Sequence, residues 1–136
     1  MPTTHQHETE DQEKPRRAAI YLSEPVPNDL DEPRDELSLD QQSVLCRCVA
    51  IALELEVVGV FADPRGDLVL RPGLRQAMVV IEAQRPDILI VSSLERLADS
   101  YHDIVKIVWK LGRAGTVPVP AEVGIGLPAK VRPSQD

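Results

Sequence analysis

One Phe, one Trp and two Tyr are all the aromatic residues in 136, so any core here must be built from Val, Leu, Ile and Ala. Cysteine is as scarce. Cys46 and Cys48 are the only two, and they sit two apart in a helix-like segment. Side chains at that spacing point in different directions, which excludes an intrachain disulfide, and a lone C-x-C is a poor zinc ligand set. No apolar stretch approaches the roughly 20 residues that span a bilayer. The N-terminus is polar, without an apolar signal core, and the expectation is a cytoplasmic protein with no membrane partner. No G-x-G-x-x-G follows a strand and no G-x-x-x-x-G-K-[ST] occurs, which removes the glycine turns of dinucleotide and nucleotide-triphosphate sites. His5 and His7 read as solvated tail residues. Neither a cofactor nor a metal is expected.

A basic excess is also missing. The formal net charge is −7, which at first argues against nucleic acid as a ligand. The acidity is uneven, however. Residues 1–37 contain ten acidic and four basic side chains, whereas residues 38–136 are close to balanced.

Hydrophobic content is 43%, enough for one folded domain with one core. Residues 1–16 are polar and aperiodic and read as a disordered tail. Residues 17–22 (RAAIYL) read as a short buried strand, and 24–36, rich in proline and acid, as a long loop. Ser38 and Gln41 form a capping box that opens a helix, with Leu45, Cys48, Val49 and Ala52 at helical spacing. A strand at 56–61 (EVVGVF) follows, then a turn at 63–66. Pro72 suits the first position of a second helix, whose apolar face is Leu74, Ala77, Met78 and Ile81. The run DILIV at 87–91 reads as a buried parallel strand opening into a polar loop. Ser100 and Asp103 bracket a third helix start, with Ile104, Ile107, Val108 and Leu111 as its stripe. A last strand at 116–119 contains Pro118 and belongs at a sheet edge. Residues 120–136 read as an irregular tail.

This alternation predicts an α/β domain over 17–119. It is an open, mainly parallel sheet of about four strands with helices on both faces, and its ligand site lies beyond the carboxyl ends of the strands. The loops there hold Ser23–Pro25, Asp63–Arg71 and Ser92–Arg96. Arg71 precedes a helix start, where free N–H groups already favour an anion, and Arg96 and Arg65 lie on neighbouring loops. The cluster suits phosphate. The alternative is that Arg71 and Arg96 form ordinary salt bridges with Glu95, Asp63 or Asp67.

Five stretches, AAIYL, ELSLDQQ, EVVGVFAD, Gly66 to Leu74 (G-x-x-x-x-RPGL) and DILIVSSLERLADS, resemble in order and spacing the catalytic domain of serine recombinases, the resolvase/invertase family. The resemblance implies a resolvase-like fold and an ancestry in DNA recombination. The family's serine attacks a DNA phosphodiester while arginines stabilise the charge of the transition state. The family's Y-x-R-x-S is here Tyr21-Leu22-Ser23-Glu24-Pro25, so Ser23 stands at the arginine position and Pro25 at the nucleophile. The family's D-R-L-x-R is here Glu95 to Asp99, keeping the first arginine as Arg96 and replacing the second with Asp99. Arg71 matches the family's arginine before P-G-L, Gln42 its glutamine, and Arg65 its loop serine. On this reading Arg71 and Arg96 are the retained catalytic-type positions, Arg65 and Gln42 assist in binding phosphate, and DNA cleavage is not expected. Moving the nucleophile to Ser23 would shift the hydroxyl ~6–7 Å, more than in-line attack tolerates. The implied partners are DNA, weakly held, or, for a regulatory module, an active recombinase or a second copy. A third reading is a small-molecule or phosphate-binding domain unrelated to DNA.

Overall fold

A computed structural model describes residues 16–24, 37–64 and 70–122. The elements in chain order are β1 (Arg16–Ser23), α1 (Leu39–Ala52), β2 (Leu55–Asp63), α2 (Pro72–Gln84), β3 (Ile88–Val91), a 3₁₀ turn (Leu94–Arg96), α3 (Tyr101–Arg113) and β4 (Val117–Pro120). The anticipated tail 1–16 lies outside the described residues except for Arg16, which opens β1. So do the loop from Pro25 to residue 36, Arg65 with the rest of 65–69, and residues 123–136.

The four strands form one parallel sheet in the order β2-β1-β3-β4. Helices cover both faces, because side chains alternate along β1. Ala18, Ile20 and Leu22 pack with Cys46, Val49 and Ala50 of α1. Ala19 and Tyr21 face the other way, onto Leu74 and Ile81 of α2 and Leu111 of α3. β1 and β3 are central and buried, as their unbroken apolar runs require. Pro118 sits in β4 at the edge, as its missing N–H demands.

Local signals set the helix ends. Ser38 accepts from the Gln41 N–H while the Gln41 side chain accepts from the Ser38 N–H, closing the capping box. Ser100 accepts from the Asp103 N–H and starts α3. The first helix stops at Ala52, short of the end near Leu55 that the helical pattern suggests. Glu54 turns left-handed (φ 57°) and Leu55 already pairs with Arg16.

With β2 on one side of β1 and β3 on the other, chain direction across the sheet reverses between β1 and β3. A crevice opens beyond the carboxyl ends of two strands at such a point.

Candidate functional site

That crevice is present. A cavity of about 620 Å³ lies beyond Ser23 and the 3₁₀ turn, lined among others by Arg71, Arg96, Asp99, Ser100 and Tyr101. Arg71 and Arg96, far apart in sequence, are brought to one rim. Glu24 and Glu95 share the rim with Asp99, so carboxylates meet the guanidinium groups there.

Arg71 is the centre of the arrangement. Its backbone is left-handed (φ 50°, ψ 60°), an uncommon conformation for a residue with a side chain and a frequent companion of functional sites. Its side chain is only 12% exposed. One terminal nitrogen donates to the Tyr21 hydroxyl at 3.0 Å and to the Arg96 carbonyl at 3.0 Å. The other donates to Asp99 at 2.8 Å. The partner is none of the three acids named in the salt-bridge alternative. Asp99, at the position where the resemblance puts a second arginine, closes on the first.

Ser23 is buried, and its hydroxyl donates to the Arg96 carbonyl at 2.7 Å. Gln42 is fully buried and grips the end of β1. Its amide NH₂ donates to the carbonyls of Ser23 and Leu37, and its oxygen accepts from the Ser23 N–H. It positions the Ser23 backbone and does not line the cavity. Pro25 and Arg65 lie outside the described residues.

Beneath Arg71 runs a network built on Tyr21 and Asp63, neither of which was among the candidate phosphate-binding residues. Asp63, fully buried at the end of β2, accepts from the N–H groups of Gly73 and Leu74 at 2.6 and 2.9 Å. It therefore caps α2, whose own N-cap residue Arg71 supplies no side-chain bond. The Tyr21 hydroxyl donates to Asp63 at 2.7 Å while accepting from Arg71. The chain Asp63–Tyr21–Arg71–Asp99 thus ties the ends of β1 and β2 to the loop after β3. One signal pointed to it. A helix starting Arg71-Pro72 has no Ser, Thr, Asp or Asn at its cap, so its first N–H groups need an acceptor from elsewhere, another side chain or water. Gly73 belongs to the same design, since a β-carbon there would lie 2.4 Å from the Ala62 carbonyl oxygen.

Burial, and then the bond to Asp63, push the Tyr21 phenol well above its ordinary 10.0. Burial first and the charge of Glu122 second push the Cys46 thiol from 9.0 up to about 12. Both are acids that the fold keeps neutral. Their contribution to stability is complete below pH 9, where folded and unfolded chains hold the same protons. Above that the unfolded chain ionises first. The unfolding free energy is expected to fall from near pH 9 upward, by about 1 kcal/mol per pH unit or more, and the urea midpoint falls with it. A midpoint flat to pH 11 would contradict this.

The family model described as Resolvase, N terminal domain, matches residues 30–119. Among curated proteins none matches the chain. Among solved structures, the N-terminal catalytic domain of TP901-1 integrase is similar with a TM-score of 0.65 and 23% identity, covering 79% of each chain. The C-terminal catalytic domain of ISC1926 TnpA, an IS607-like serine recombinase, is similar with a TM-score of 0.60 and 23% identity over 76% of this chain and 68% of that one. A resolvase family site-specific recombinase from Streptococcus pneumoniae gives a TM-score of 0.61 and 20% identity, over 80% of this chain and 75% of that one.

Proposed function

This chain belongs to the resolvase N-terminal-domain family, and from that membership we propose that it is a serine-recombinase-like domain that faces DNA phosphate with its strand-end crevice but does not cut DNA. The observation that carries this reading is the ion pair between Arg71 and Asp99 at 2.8 Å. A guanidinium that would stabilise a pentacoordinate phosphorane needs its N–H donors aimed at the developing oxyanion. Here both terminal nitrogens of Arg71 are engaged within the protein.

The nucleophile is the second support. Pro25, which the resemblance places there, has no hydroxyl. Ser23 has one, but its proton is donated to a backbone carbonyl, not to a base that would release it toward phosphorus. Each missing transition-state donor typically costs ~10²–10³ in rate. Together with the lost hydroxyl, this leaves Arg71 and Arg96 as members of a weak phosphate-facing rim.

The full chain, incubated with supercoiled and with nicked DNA and quenched in denaturant, is expected to give no covalent protein–DNA adduct. A serine ester recovered on Ser23 or any other residue would overturn the reading. A separate titration with DNA at low salt, without denaturant, addresses partnership with an active recombinase or a second copy. Glu24 and Glu95 share the rim with the arginines and would suit a basic protein surface; absence of DNA binding even at low salt would point to that surface as the natural ligand.

A further inference from the structure

A second groove lies between the last turns of α2 and α3, at the opposite end of the sheet from the strand-end crevice. It measures about 620 Å³ and is lined by Met78, Glu82, Arg85, Trp109, Lys110 and Arg113. Trp109, the only tryptophan of the chain, is 62% exposed there, with the Arg113 guanidinium 5.0 Å above its ring. Three cations face one carboxylate. Lys110 and Arg113 suit the negative end of the α3 dipole, but among the described residues none of the three cations forms an ion pair with a carboxylate. An exposed indole beside unpaired cations is a surface made to be covered by something anionic.

We propose that this groove holds the chain's own acidic stretch, residues 8–13 (ETEDQE). Position argues for it. The Arg17 guanidinium donates to the carbonyls of Gln84 and Arg85, and the Arg17 N–H donates to Asp87. The chain therefore runs into β1 directly beside Arg85, one wall of the groove. Glu13 precedes Arg16 by three residues, a reach of ~10 Å when extended. Charge argues for it too, since residues 8–13 contain four carboxylates and no cation. A short tether also holds the stretch at an effective concentration of order millimolar, so modest contacts suffice. Held there, Glu8, Glu10, Asp11 and Glu13 neutralise Arg85, Lys110 and Arg113 and shield Trp109. The stretch thereby denies the groove to nucleic-acid phosphates, which cations flanking an aromatic ring otherwise attract.

Trp109 is a built-in reporter. Quenching by acrylamide, which is uncharged and reads coverage alone, is measured on the full chain and on the variant Glu8→Gln/Glu10→Gln/Asp11→Asn/Glu13→Gln. None of these substitutions falls in a described strand or helix. The variant is expected to quench about twofold more strongly. The unmodified chain should reach the same value in 1 M NaCl, where the screening length is about 3 Å. Lys110→Glu, which leaves the Trp109–Arg113 stack in place, should do the same at low salt. Equal quenching of the unmodified and neutralised chains would overturn the proposal. So would quenching of the unmodified chain that falls as protein concentration rises, which assigns the occupant to a second copy. Equal affinity of both chains for a short single-stranded DNA, read through Trp109, would show the groove open and overturn it as well.

Discussion

Asp63→Ala is expected to lower unfolding free energy by about 3–5 kcal/mol, from two or three buried donors losing their acceptor at roughly 1–3 kcal/mol each. The side chain is fully buried and accepts from Gly73, Leu74 and Tyr21. An ordinary N-cap substitution costs about 1 kcal/mol because water replaces the lost acceptor. Bulk water does not reach these donors in the folded protein, since Asp63 is fully buried. Asp63→Asn is expected to fall between, because one oxygen remains to accept while the new NH₂ opposes an N–H or the phenol. Urea unfolding followed by circular dichroism measures both. The midpoint should drop with little change in slope, since the surface exposed on unfolding is nearly the same. A loss below about 1 kcal/mol for alanine would mean that α2 does not depend on this cap.

The second large effect concerns the crevice. Asp99→Ala removes the carboxylate bound to Arg71 and releases the guanidinium to an outside anion. Affinity for short duplex DNA at low salt is expected to rise about tenfold, a charge-assisted contact discounted for the 62% exposure of the Asp99 side chain. The salt dependence should steepen by about one phosphate contact. Arg71→Ala in the Asp99→Ala background should return both to the original values, and the double-mutant cycle isolates the pair. Unchanged affinity in Asp99→Ala would mean that Arg71 remains turned inward, held by Tyr21 and the Arg96 carbonyl. The phosphate-facing rim would then rest on Arg96 alone among the described residues.

Alternation of apolar runs with helical stripes was sufficient to foresee a parallel four-stranded sheet covered on both faces, because buried strands and amphipathic helices leave different periods in a sequence. The caps at Ser38 and Ser100 were equally readable, being local. The convergence of Arg71 with the loop holding Arg96 followed from topology. What stayed hidden depended on distance and direction. The salt-bridge alternative offered Arg71 the acids Glu95, Asp63 or Asp67, and it meets Asp99, which follows the 3₁₀ turn at Leu94–Arg96. Gln42 was assigned to phosphate from its place in a motif, yet its amide is spent on the backbone of Ser23 and Leu37. A polar residue on the buried side of a helix does not announce whether it faces a ligand or a strand. Asp63 looked like a turn residue since Pro64 follows it. Its carboxylate points back into the protein because strand pairing extends through Asp63, which pairs with Ser23.

The prolines of β4 have one more implication. The Val117 N–H donates to Asp87 across the ladder. By strand alternation Val119 faces β3 in the same way, while Pro118 and Pro120 turn their nitrogens outward. That flank offers carbonyl oxygens but no hydrogen to share, so a newcomer strand could be tethered there only one way. Among the described residues, growth of the sheet by annexing another chain is therefore favoured at the far border, along Leu55–Asp63.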